Sequence, residues 1–63
     1  MLEVMIEQWK NPDGSTAYPW SVWRDGTRVH MGAALDSAEA AEIDAKAYCT
    51  GRLGTEPGSV IRL

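Results

Sequence analysis

An Asp-Gly pair between two runs of β-formers constrains this chain more than any other feature. Trp20-Ser21-Val22-Trp23 precedes Arg24-Asp25-Gly26, and Thr27-Arg28-Val29-His30-Met31 follows it. Asp and Gly tolerate the positive φ that a two-residue hairpin turn needs at its central positions, so the stretch reads as a hairpin. Such a turn sets a register. Arg24 faces Thr27, Trp23 faces Arg28, Val22 faces Val29, Ser21 faces His30 and Trp20 faces Met31. Side chains alternate along a strand, which groups Trp20, Val22, Val29 and Met31 on one face and Ser21, Trp23, Arg28 and His30 on the other.

A second turn fixes a second register independently. Leu2, Val4 and Ile6 alternate with Glu3, Met5, Glu7 and Trp9, the period of a half-buried strand. Asn11-Pro12-Asp13-Gly14 then reads as a three-residue hairpin loop with Gly14 left-handed. Pairing Asn11 with Ser15 sets Trp9 opposite Ala17, Glu7 opposite Pro19, Ile6 opposite Trp20, Met5 opposite Ser21, Val4 opposite Val22 and Glu3 opposite Trp23. The two registers agree, because Val4, Val22 and Val29 form one apolar row and Ile6, Trp20 and Met31 another. Pro19 lacks a ladder donor, so a bulge or break is expected near Tyr18-Pro19.

After Gly32-Ala33-Ala34-Leu35, the stretch Asp36-Ser37-Ala38-Glu39 reads as a capping box with Asp36 at N-cap and Glu39 at N3. A helix from about Ser37 to Cys49 or Thr50 follows, with Gly51 placed to end it. Glu39, Glu42 and Lys46 share a solvent stripe, and Glu42 with Lys46 is a favourable i,i+4 pair. The opposite side carries Ala40, Ala41, Ala45 and Tyr48, flanked by Ile43 and Ala47. Asp44 interrupts that side, and an arginine such as Arg52 or Arg24 is its expected partner. Arg52 to Gly58 reads as a loop. Ser59 to Leu63 reads as a short strand with Ile61 and Leu63 inward, pairing beside either the first or the third strand. The expected fold is α+β: a three-stranded antiparallel meander packed on one helix, with a short fourth strand at the C-terminus.

The 63 residues make a single domain, 1–63, near the lower size limit for folding without a staple. One cysteine, Cys49, and one histidine, His30, exclude an internal disulfide and a metal site of the usual Cys/His kind, leaving self-association as the remaining staple. The odd thiol and the lack of a leader-like segment point to a reducing cytoplasm. No apolar run approaches the ~20 residues of a membrane span. Nine acids against six bases give a net charge of −3, which disfavours nucleic acid as a partner.

No catalytic or cofactor-binding residues emerge, and the chain reads as non-enzymatic. Ser21 and His30 are cross-strand neighbours in the expected register, but an exposed sheet gives no water-excluding pocket for a nucleophile and its base. Cys49 lies near a helix C-terminus, where the dipole does not favour a thiolate. Glu39, Glu42 and Asp44 read as solvating and capping groups, and the glycines lack nucleotide-loop spacing.

The sheet face away from the helix is the candidate site. It gathers Met5, Trp9, Trp23, Arg28 and His30 as expected partner-binding residues, with Arg28 able to stack on Trp23 and Glu3 on the far side of the indole. Two tryptophans and a methionine on an uncovered face read as a surface for a protein partner or for a second copy of the chain. The alternatives are a helix lying on this face instead, or surface aromatics that serve strand pairing alone.

Arg28-Val29-His30-Met31-Gly32 followed by Asp36-Ser37-Ala38-Glu39-Ala40-Ala41 resembles the third strand and helix start of the plant ethylene-response-factor DNA-binding domain and of the arm-binding domains of phage-type integrases. The resemblance covers roughly the middle half of the chain. It implies a three-stranded sheet backed by one helix, and an alternative function in which the open sheet reads duplex DNA. Arg28 and His30 would then take the DNA-facing arginine and aromatic positions, with Trp23 beside them. The family's first strand is arginine-rich, whereas Glu3 and Glu7 stand here. Small bacterial or phage inhibitor proteins share the same size, acidity and sheet-plus-helix plan.

Overall fold

The computed structural model describes residues 1–63. Its elements are β1 (Leu2–Ile6), β2 (Trp9–Lys10), β3 (Thr16–Ala17), β4 (Trp20–Arg24), β5 (Thr27–Met31), α1 (Ala38–Arg52) and β6 (Ser59–Arg62). They build an α+β fold: a four-stranded sheet in the order β5-β4-β1-β6, a two-stranded sheet of β2 and β3, and one helix. β1, β4 and β5 form the antiparallel meander, and β6 returns beside β1 in parallel. No helix is long and apolar enough to cross a membrane.

The turn chemistry acts as the residues dictate. Asp25 and Gly26 both take positive φ, 50° and 83°, and Arg24 pairs with Thr27. Gly14 is left-handed in the other loop, and the Asn11 N–H donates to the Ser15 carbonyl at 2.9 Å. β1 meets β4 in the expected register throughout, from Glu3 opposite Trp23 to Ile6 opposite Trp20. The ladder breaks before Pro19, where Tyr18 leaves it to exchange two backbone hydrogen bonds with Leu35.

The pairing of β5 departs from expectation. Past Trp23 and Arg28 a bulge shifts the register by one, so His30 pairs with Val22 and Met31 with Ser21. Because the side-chain period is two, the slip exchanges faces for the rest of the strand. His30 turns to the helix side, while Val29 and Met31, expected inward, stand 42% and 47% exposed. The cause lies at Trp20. Its carbonyl accepts the Gly32 N–H at 2.9 Å, and its indole occupies the space that a Cβ on Gly32 would need. An unshifted strand would place Met31 there instead.

α1 packs small side chains on the sheet. Ala41, Ala45 and Cys49, spaced by four, are fully buried against a core that includes Val4, Ile6, Trp20 and Val22. Ile43 points to solvent, 71% exposed. The N-cap is Ser37 rather than Asp36: its hydroxyl accepts the Ala40 N–H at 3.1 Å, which leaves Glu39 outside the capping box. The helix runs through Gly51 and ends at Leu53, followed by a left-handed Gly54. Asp44 meets no arginine and instead accepts the Trp20 indole N–H at 3.1 Å. Glu42 pairs with Lys46 at 3.0 Å as the spacing predicts.

β6 also presents the face opposite to the one its composition suggests. Val60, beside Val4, packs on the core, and Arg62 reaches the helix acids Glu42 and Glu39 at 2.9 and 3.4 Å. Ile61 therefore sits beside Met5 on the outer face, and Leu63 is exposed.

Candidate functional site

With α1 covering one side of the sheet, the other side is open. β1 presents Glu3 and Met5, β4 presents Ser21 and Trp23, β5 presents Arg28 and Met31, and β6 presents Ile61. Ser21 is nevertheless buried, because the Trp23 indole folds back along β4 and donates its N–H to Ser21 Oγ at 2.9 Å. That bond satisfies the buried Ser21 hydroxyl and holds the Trp23 ring without a ligand. Beside it, Glu3, Val4, Met5, Trp23, Gly26 and Ile61 enclose a shallow concavity of about 240 Å³. Its floor and walls are mostly apolar.

Charge on this face is divided. Glu3 stands on β1, touched by Ser59 Oγ at 3.5 Å, and Arg28 stands on β5 with no ion pair among those the chain forms. The ring contacts of the structure all lie on the opposite face, so Arg28 does not stack on Trp23 as the register suggested.

Of the expected partner-binding residues, Met5, Trp23 and Arg28 come together here. Trp9 is 51% exposed but belongs to β2, in the separate two-stranded ladder, where its indole donates to Glu7 at 3.1 Å. His30 leaves the face altogether. Its ring stacks on Tyr48 at 3.8 Å and lies tilted to Trp20 at 5.4 Å, forming a seam between β5 and α1. Ser21 and His30 thus point to opposite sides of the sheet, and the cross-strand pair weighed as nucleophile and base does not form. Met31 and Ile61 join the face in their place. The sequence signal for Met31 was Gly32, the one residue able to sit beneath the Trp20 indole; for Ile61 it was Arg62, whose guanidinium reaches the helix acids.

Elsewhere the chain offers little chemistry. No group of three His, Cys, Asp or Glu side chains is arranged to hold a metal ion. Burial pushes the Cys49 thiol above its ordinary range, which keeps it protonated and weakly nucleophilic. Hydrogen bonds from Lys46 first, then Arg62, hold the Glu42 carboxyl below the usual range; Ser15 does the same for Asp13. Both carboxylates are solvent-facing and remain ionised. Compared with protein-family models, with curated proteins and with solved structures, the chain has no match.

Proposed function

We propose that this protein is a small non-enzymatic binding module that docks a protein surface, a second copy of itself included, on the open sheet face. The observation that carries the reading is a sheet side left uncovered by α1 with Met5, Trp23, Met31 and Ile61 at its surface, beside an unpaired Arg28. Apolar side chains of this size gain most when a partner removes them from water, and aromatic and arginine residues concentrate binding energy. Ser21 holds the Trp23 ring in place beforehand, which lowers the entropy lost on binding.

Crosslinked capture from cells tests this, with Trp23→Ala and Ile61→Asp on the face and Ile43→Asp on the solvent side of α1 as the control. Loss of a captured protein or of self-association in the first two, with the control unchanged, is the expected result. Retention of every captured protein and of the oligomeric state in both face variants refutes it. The alternative, duplex DNA on the same face, draws support from Arg28 and from the resemblance to sheet-reading DNA-binding domains. It sets Glu3 against phosphates, and it requires affinity that falls steeply with salt and depends on Arg28. Duplex binding with that salt slope would favour it over the protein reading.

A further inference from the structure

The occupant of the open face is encoded in how its residues repeat across the strands, a step that rests on the docking reading above. The ladders place Glu3, Trp23 and Arg28 in one row across β1, β4 and β5, and Met5, Ser21 and Met31 in the next. Each row is organised about β4. An acid and a base flank Trp23, and a methionine stands on either side of Ser21. A two-fold axis that lies in the interface, parallel to the strands and above β4, exchanges the two flanks of every row without moving the row along the strands. It sets Arg28 of each copy over Glu3 of the other, and Met5 of each over Met31 of the other. We infer that the partner of this face is a second copy of the chain, packed sheet on sheet about that axis with the two Trp23 side chains facing each other.

The charges are free for this. Arg28 forms no ion pair within the chain, and Glu3 has only the 3.5 Å approach of Ser59 Oγ. They stand two strand spacings apart, about 9.6 Å, on either side of Trp23, and form no ion pair with each other. A two-fold axis running across the strands along the first row would instead set Arg28 against Arg28 and Glu3 against Glu3, which like-charge repulsion disfavours. The bulge in β5 contributes directly: without it His30 would occupy the place of Met31, and the second row would lose its apolar match. An isologous contact of this kind closes at two copies. About that axis β5, β4 and β1 of the two copies overlap while β6 overhangs, so three strands about 4.8 Å apart and five residues of about 3.3 Å each give a contact of roughly 14 by 17 Å. That is small beside the ~800 Å² per partner of a stable interface, so the dimer is weak and concentration-dependent.

Sedimentation velocity of the full chain over roughly the micromolar to millimolar range tests the inference. The expected result is a reversible monomer–dimer equilibrium that Arg28→Glu and Glu3→Arg each weaken by about tenfold or more, with the double exchange restoring it to within a few-fold because the pairs re-form reversed. Met31→Glu, which leaves the charged row intact, weakens it independently. Circular dichroism confirms that each variant compared is folded. A wild-type chain that stays monomeric over the whole range, or a double exchange no tighter than either single one, overturns the second-copy inference. The capture assay separates the two readings: a monomer from which Trp23→Ala still strips a captured protein loses only the second copy, whereas a monomer whose face variants strip nothing loses both.

Discussion

Replacing Gly32 by alanine tests the packing that moved β5 by one residue. The added Cβ would lie within the indole of Trp20, overlapping Cε2 and Cζ2 and 2.5 Å from Nε1. The ring is constrained: it is 4% exposed, lies 5.4 Å from the His30 ring and 5.8 Å from Tyr48, and donates to Asp44 at 3.1 Å. Overpacking of this kind costs about 1–3 kcal/mol, and the strained indole bond adds about 1 kcal/mol. The lower entropy of an unfolded chain with alanine offsets about 0.4–1 kcal/mol. The net loss spans about 1–3.6 kcal/mol and centres on about 2.3 kcal/mol, in a domain whose size supports only about 3–9 kcal/mol in total. Thermal unfolding followed by circular dichroism should show the midpoint falling by about 10–20 °C. In a Trp20→Leu background, where the space is vacated, most of the loss should disappear. Gly32→Ala as stable as the wild type, or an undiminished loss beside Leu at position 20, would refute the account of the bulge.

The remaining predictions concern the helix and its seams. Ser37→Ala should lower stability by about 1 kcal/mol, as for loss of an N-cap, while Asp36→Ala leaves it nearly unchanged; urea titration distinguishes the two. Gly51→Ala should raise stability by about 0.5–1 kcal/mol, because nothing lies near the added methyl and the residue is helical. His30→Ala should lose about 1 kcal/mol from the stack on Tyr48 yet leave unaltered the self-association and capture proposed for the open face, since its ring lies on the covered side. The depressed carboxyl of Glu42 contributes stability that is complete above the ordinary glutamate range and is lost as pH falls through its lowered pKa. Glu42→Gln should therefore flatten the acid limb of a stability-against-pH profile, and an unchanged limb would count against the Lys46 and Arg62 bonds.

Three of the five residues expected on the open sheet face are there because turns are local. The φ values demanded by Asp25-Gly26 and by the loop ending at Gly14 are properties of two or three residues, and a hairpin register propagates from them without reference to the rest of the molecule. The β1 to β4 ladder follows in full, and with it Met5 and Trp23; Arg28, close to its turn, is placed before the bulge intervenes. Trp9 was legible as exposed, but Pro19 divided the ladder and left it on β2.

Other placements depend on groups far apart in the chain. Asp36 and Ser37 can both cap a helix. The choice fell to Ser37 in a chain whose Leu35, two residues earlier, is anchored by its bridge to Tyr18. Ser59-Val60-Ile61-Arg62-Leu63 can face either way at period two, and counting apolar residues favours Ile61 and Leu63 inward. Parallel pairing of Val60 beside Val4, and acids on α1 within reach of Arg62, reverse that choice.

The amino-acid sequence by itself determined the α+β class, both hairpin turns, the register of β1 on β4 and the single helix, since backbone dihedral preferences and hydrophobic period are written residue by residue. Tertiary structure decided the β5 bulge, the side on which His30, Met31 and Ile61 lie, and the strand that β6 joins. Those outcomes turn on volume and reach across the fold: an indole needs a glycine beneath it, an imidazole finds a tyrosine on the helix, and a guanidinium finds two carboxylates. None of these partners is adjacent in sequence, so no local pattern records them.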